Sequence, residues 1–132
     1  MRVAFLALAA ALCAAPAHAE LYNTAVLQTL DKVTARVSTV EVAIGDTLDF
    51  GTLEIIPRAC DKKPPEETPE SAAFLDIYEK RPDEPVVGIF RGWMFASSPA
   101  LSALSHPVYD VWVVDCKNPS ASDAKPSGSK PE

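Results

Sequence analysis

From residue 24 onward, apolar side chains recur at alternate positions in short runs separated by turn-forming residues. That is the period of a pleated strand with one wet and one buried face. TAVLQTL (24–30) and VTARVSTVEVAI (33–44) flank Asp31-Lys32 and predict a hairpin. Gly45-Asp46 turns the chain into TLDF (47–50), where Leu48 and Phe50 alternate with polar neighbours. Gly51 separates that run from TLEIIPRAC (52–60), which sets Leu53 and Ile55 on one face. Within 33–44 the apolar phase shifts, from Val33, Ala35 and Val37 to Val40, Val42 and Ile44, which predicts a bulge near Ser38-Thr39. Three later runs, AAFLDIYEK (72–80), VVGIFRGWMF (86–95) and VYDVWVVDC (108–116), carry large apolar groups on both faces and are expected at sheet centres. The pattern predicts one all-β domain over 20–116, a small β-sandwich or partly open barrel of six to seven strands.

The ends of the chain follow other rules. MRVAFLALAAALCAAPAHA (1–19) has a basic start at Arg2, an apolar run to Ala15, a helix-breaking Pro16 and a small-x-small triplet ending at Ala19. This is the pattern of a secretory signal peptide cleaved after Ala19. The run is too short to span a bilayer, which takes about 20 apolar residues, so a periplasmic chain that does not span the membrane is expected. Leu12, just before Cys13, is not the small residue that a lipoprotein signal requires. Residues 117–132 have no apolar side chain larger than alanine and are expected to be disordered. Without Arg2 the mature chain carries 11 basic and 18 acidic side chains, a net charge of −7. Such a surface repels phosphate backbones and argues against a nucleic-acid partner.

Export leaves Cys60 and Cys116, an even number in an oxidising compartment, and one disulfide is the economical reading. A reactive thiol pair or metal ligation are the alternatives, but there is no CxxC spacing and His106 is the only histidine of the mature chain. No metal or cofactor is expected. A bond between the cysteines constrains topology. If the strands after Cys60 simply alternate in direction, Cys116 ends at the opposite end of the domain, so one connection must run its whole length. DKKPPEETPES (61–71), with three prolines, is the expected strut, because polyproline II rises ~3.1 Å per residue. Its far end, from Thr68 to Ser71, should approach the 96–107 loop.

Candidate chemistry is sparse. Ser97 or Ser98 with His106 and Asp110 has the residue types of a nucleophilic triad, but no G-x-S-x-G elbow presents the serine. Ser98-Pro99 reads instead as the cap and first residue of a short helical turn within 96–107. Glu66, Glu67 and Glu70 could coordinate calcium, but the stretch has prolines where a calcium loop needs glycine. Asp110 and Asp115 flank the last run and are expected to pair with Arg58 or Arg91. Trp93, Met94, Phe95, Tyr109 and Trp112 could line a groove, but with so few aromatics they are expected in the core.

RACDKKPPEETPESAAFLDI (58–77) and GWMFASSPALSALSHPVYDVWVVDC (92–116) resemble domain of unknown function 2155, a family of small exported proteins seen mainly in alphaproteobacteria. The resemblance covers nearly all of 24–116. It implies export, this chain length and paired cysteines, and no reaction, cofactor or fold. The leading expectation is a non-enzymatic domain that binds an envelope protein. Its candidate partner-binding residues are Glu67, Thr68 and Glu70 on the proline segment with Ser97, Ser98 and His106 on the following loop. A small-ligand or glycan-binding module using Trp93 or Trp112 is the alternative, and a serine hydrolase stands third.

Overall fold

The computed structural model describes residues 20–119, with side chains from Tyr22. The expected signal peptide and all of the expected tail beyond Pro119 lie outside the described residues. Two antiparallel sheets pack face to face as a sandwich, and neither closes into a barrel. In chain order the strands are β1 (Glu20–Leu21), β2 (Thr24–Asp31), β3 (Arg36–Ala43), β4 (Leu48–Phe50), β5 (Leu53–Lys62), β6 (Ser71–Glu79), β7 (Val87–Phe95) and β8 (Tyr109–Lys117). One sheet runs β3-β2-β8; the other runs β5-β6-β7, with β1 and β4 both pairing with β5. Apart from the two-residue β1, seven strands are present.

The alternation places Leu53 and Ile55 of β5, Ala73, Leu75 and Ile77 of β6, and Met94 of β7 on the inner face of one sheet. Ala25, Leu27, Val42, Val111 and Val113 meet them from the other. At ~25 cal/mol per Å² of apolar surface removed from water, this shared layer is the main stabilising term. Pro57 is fully buried in β5 at an irregularity in the β5–β6 register. Neither β4 nor β1 pairs with that part of β5, so the N–H that proline lacks costs no ladder bond. The Pro57 carbonyl is still used, accepting from Gly45 N at 2.8 Å.

Several expectations need correction. Asp31 Oδ1 accepts from the Val33 and Thr34 amides at 2.9 and 3.2 Å. This Asx-type closure draws 32–35 out of the strand and into the turn. Val33 is therefore 77% exposed at the hairpin tip. The β2–β3 register runs without a break, so there is no bulge at Ser38-Thr39. Val33 and Ala35 are turn residues, and Val37 is a β3 residue that points to solvent, 54% exposed. Irregularities fall instead at Val26/Leu27, Pro57/Ala59 and Ile77/Tyr78. Of the three two-sided runs only β6 is central, whereas β7 and β8 are edge strands.

Cys60 and Cys116 are bonded, with Cα atoms 5.8 Å apart, joining β5 of one sheet to β8 of the other. One connection does traverse the domain, but it is not the proline segment. Residues 63–70 form a compact hairpin loop between β5 and β6, in which Lys63 N donates to Glu70 O at 3.0 Å and Glu67 N to Pro64 O at 3.0 Å. Two prolines at a turn start fix the backbone angles as well as they stiffen a rod. The traversing segment is 96–108. It begins beside the disulfide end of β6, where Ala96 N donates to Ser71 O at 2.8 Å. It finishes at the other end, where Lys32 N donates to Val108 O at 2.8 Å. Along the way it makes the expected helical turn, a 3-10 turn at Pro99–Leu101 with no side-chain bond from Ser98.

Gly51 sits at φ +56, and a Cβ there would overlap the Tyr109 hydroxyl. Tyr109 is held edge-on to Phe50, ring centroids 5.0 Å apart, and stacked on His106 at 5.3 Å. Two stability predictions follow from these features. Replacing both Cys60 and Cys116 with alanine lowers the unfolding free energy by about 4 kcal/mol, read from the urea transition. In the same assay Gly51→Ala costs at least about 2 kcal/mol, whereas Gly45→Ala, at φ +90 with nothing within 4 Å, costs about 1 kcal/mol.

Candidate functional site

At the disulfide end the 63–70 loop, the start of the 96–108 strap and the end of β8 enclose a groove of about 660 Å³, within the range of small-ligand and peptide sites. Pro64, Pro65, Pro69, Tyr22 and Val114 give its apolar wall, and Lys62, Lys63, Glu67 and Glu70 its charged rim. The prolines limit how far the loop relaxes without an occupant. The strap is tied to the loop at one point. Ser97 Oγ donates to Glu70 Oε2, and Ser97 N donates to Glu70 Oε1 at 3.1 Å. These hydrogen bonds, from the Ser97 hydroxyl first, hold the Glu70 carboxyl below its ordinary value of 4.5.

The opposite wall is fixed by Asp115. Burial alone would raise its pKa. The Lys62 ammonium at 2.9 Å, the Cys116 amide at 2.8 Å and the Ser71 hydroxyl at 3.4 Å outweigh that and leave it lowered. Asp115 thus takes Lys62 rather than Arg58 or Arg91, and Asp110 takes Lys32, at 3.1 Å. Among the described residues the Glu67 carboxylate makes no hydrogen bond or ion pair, so its charge is free for an occupant.

The structure brings together Glu67, Glu70 and Ser97 at the groove. Thr68 is exposed on the same loop and Ser98 is half-buried one residue beyond Ser97. His106 is elsewhere. The strap carries it to the far end of β6, ~26 Å away at ~3.3 Å per strand residue, where it is 8% exposed. Its Nδ1 accepts from the Val108 and Tyr109 amides, each at 3.1 Å, so the ring proton belongs on Nε2, which lies 3.3 Å from Glu79 Oε1. That contact is close enough for an ion pair but is not aligned as a hydrogen bond. The segment read as a surface loop is thus a strap anchored by Leu104 and His106, both buried. Ser97 and Ser98 are at one end of it and His106 at the other, so no serine–histidine–aspartate triad is assembled.

The aromatics divide. Met94 is in the core and Tyr109 packs against it. Trp93 points outward, 37% exposed, its ring edge-on to Phe74 at 5.6 Å. Trp112 lies on the outer face of the smaller sheet, its Nε1 donating to Gln28 Oε1 at 2.9 Å. Placing both tryptophans in the core was wrong, because a two-sheet sandwich covers each sheet on one face only and Trp93 and Trp112 lie on the outer faces. Sequence reasoning also missed Tyr22, Lys62 and Val114 of the groove. They come from three distant segments and meet only because β1 pairs with β5 and the disulfide brings β8 alongside, so no local signal marks them.

A family model described as "Uncharacterized protein conserved in bacteria (DUF2155)" matches residues 25–116. An uncharacterized protein of Rickettsia prowazekii (strain Madrid E) is 30% identical over 95 residues, 72% of this chain and 61% of that protein. The chain thus spans somewhat under two thirds of that relative's length. No solved structure matches it.

The Glu70–Ser97 tie has a measurable signature. The depressed Glu70 pKa makes this contact stabilising above the unfolded-state value near 4.5, and the contribution is lost as pH falls through the lower folded-state value. In an NMR pH titration, Ser97→Ala should move the Glu70 carboxyl midpoint upward toward 4.5.

Proposed function

The chain belongs to the bacterial family of uncharacterized proteins DUF2155, and from that premise we propose that it is an exported, non-enzymatic domain that binds an envelope protein through the groove at its disulfide end. The groove itself carries the reading. It is preformed, its apolar wall is rich in proline, and its rim holds an unpaired carboxylate at Glu67 and the ammonium of Lys63. A rigid frame lowers the entropy lost on association, and here both walls are braced, one by the Glu70–Ser97 tie and the other by the Cys60–Cys116 bond. The crosslink supports export to the periplasm, because disulfides persist in oxidising compartments. Among the described residues no helix is long and apolar enough to cross a membrane.

The other readings have less support. A hydrolase needs a serine within hydrogen-bond reach of its base, and the strap separates Ser98 from His106. A glycan-binding role needs a free aromatic platform. Trp112 spends its indole N–H on Gln28, and Trp93 packs edge-on to Phe74 on an open sheet rather than in a pocket.

A photo-crosslinking residue at position 67, introduced into the protein in its native envelope, should give a discrete adduct with one partner. The same residue at position 39, on the exposed β3 edge, should not. Absence of an adduct at 67, or the same adducts from both positions, rejects the proposal.

A further inference from the structure

The outer face of the larger sheet has an unusual composition for a solvated surface. Antiparallel sheets that face water usually present polar residues there. Register places Phe74 opposite Trp93, Asp76 opposite Arg91 and Tyr78 opposite Gly88, all pointing away from the core side chains Ala73, Leu75 and Ile77. Arg58 joins them from β5, and Phe95 sits opposite Ala72 at one end. Aromatic residues and arginine are the types enriched at protein interfaces, whereas lysine and glutamate are depleted there.

The charge at the centre is unbalanced. Asp76 is a carboxylate only 5% exposed, and Arg58 Nε donates to its Oδ2 at 2.8 Å. That bond alone matches the buried charge. Arg91 is a second cation, its Nε 3.4 Å from Asp76 Oδ1 without a hydrogen bond, and its side chain is 76% exposed. Two guanidinium groups around one carboxylate leave one uncompensated positive charge, on a chain whose formal net charge is −6. Both arginines approach Asp76 through Nε; Arg58 also hydrogen-bonds Tyr78 on the same face, whereas the outer N–H groups of Arg91 are left for a planar acceptor. Beside Arg91 is a hollow of about 250 Å³ lined by Asp76, Tyr78, Gly88 and Phe90. The Tyr78 ring lies over Gly88, where an added Cβ would touch it at 3.7 Å.

We infer that this face is a second docking surface, separate from the groove, for an acidic polypeptide segment. A carboxylate of the segment meets the outward N–H groups of Arg91, and a neighbouring apolar side chain lies on Trp93 and Phe74. The charge complementarity selects the occupant. A basic segment would face an uncompensated cation, and a second copy of this acidic chain meets net repulsion outside the contact.

The test uses the full-length labelled protein and two short capped peptides, one alternating glutamate and valine and the other lysine and valine. The glutamate peptide should give saturable shifts at the Trp93 indole N–H and along β7, weakened by salt, and the lysine peptide none. Arg91→Glu should weaken the glutamate peptide by about tenfold or more, the scale of a central charged contact. Trp93→Ala should also weaken it, whereas the groove variant Glu67→Lys should leave it unchanged. Thermal melts confirm that each variant is folded. Equal response to both peptides, insensitivity to Arg91→Glu, or shifts confined to 63–70 would overturn the inference. So would saturable shifts at Trp93 with a neutral oligosaccharide or with phosphatidylglycerol vesicles in place of the glutamate peptide.

Discussion

One covalent constraint organises this domain: Cys60 in β5 and Cys116 in β8 must meet although they belong to different sheets. β5, β6 and β7 are consecutive antiparallel neighbours, so β7 ends beside the disulfide. β8 must also end there, and therefore has to start at the other end of the sandwich. The chain meets this demand with the 96–108 strap. Once the strap exists, it needs an anchor at each end. The Ser97–Glu70 contact supplies one and the His106 ring, locked by two main-chain amides, the other. The groove is the by-product of this routing, since the strap leaves β7 just where the proline loop turns back.

Much of the architecture was legible because it is local. The short apolar runs located every strand of three residues or more, and the placement of Leu53 and Ile55 on a buried face followed from period-two alternation. The paired cysteines and the helical turn at Pro99 were equally readable. What failed depended on information several residues away or in another strand. The phase shift in 33–44 has two local explanations, a bulge or a wider turn, and only the Asp31 carboxylate, bonding forward to Val33 and Thr34, decides between them. The need for a traversing connection was deducible, but its assignment was not. Prolines in 61–71 serve a turn as readily as a rod, and nothing local shows that Leu104 and His106 in the other segment are buried. The candidate site was half legible. Glu67, Glu70 and Ser97 line one groove, and His106 belongs to the structural frame.

The electrostatics separate into frame and surface. Asp115, Glu70 and Glu79 are each held below their ordinary values by hydrogen bonds or cations that also fasten strands or loops, the foremost for Glu79 being Arg81. These acids fasten the domain's ends. The side chains of Glu67 and Arg91 make no hydrogen bond among the described residues, and each stands at the rim of an opening with apolar walls. Charges of that kind steer partners more than they stabilise the fold.

The Cys60–Cys116 bond makes residues 60–116 a closed covalent ring that holds β6, β7, the strap and nearly all of β8. β3 lies outside it, paired on one side only and exposed from Arg36 to Thr39. Loosening of this molecule is therefore hierarchical. The outer hairpin strand can peel away while the ring keeps its shape, so the amides of β3 exchange with solvent long before those of β6, and main-chain mobility is graded from one sheet to the other.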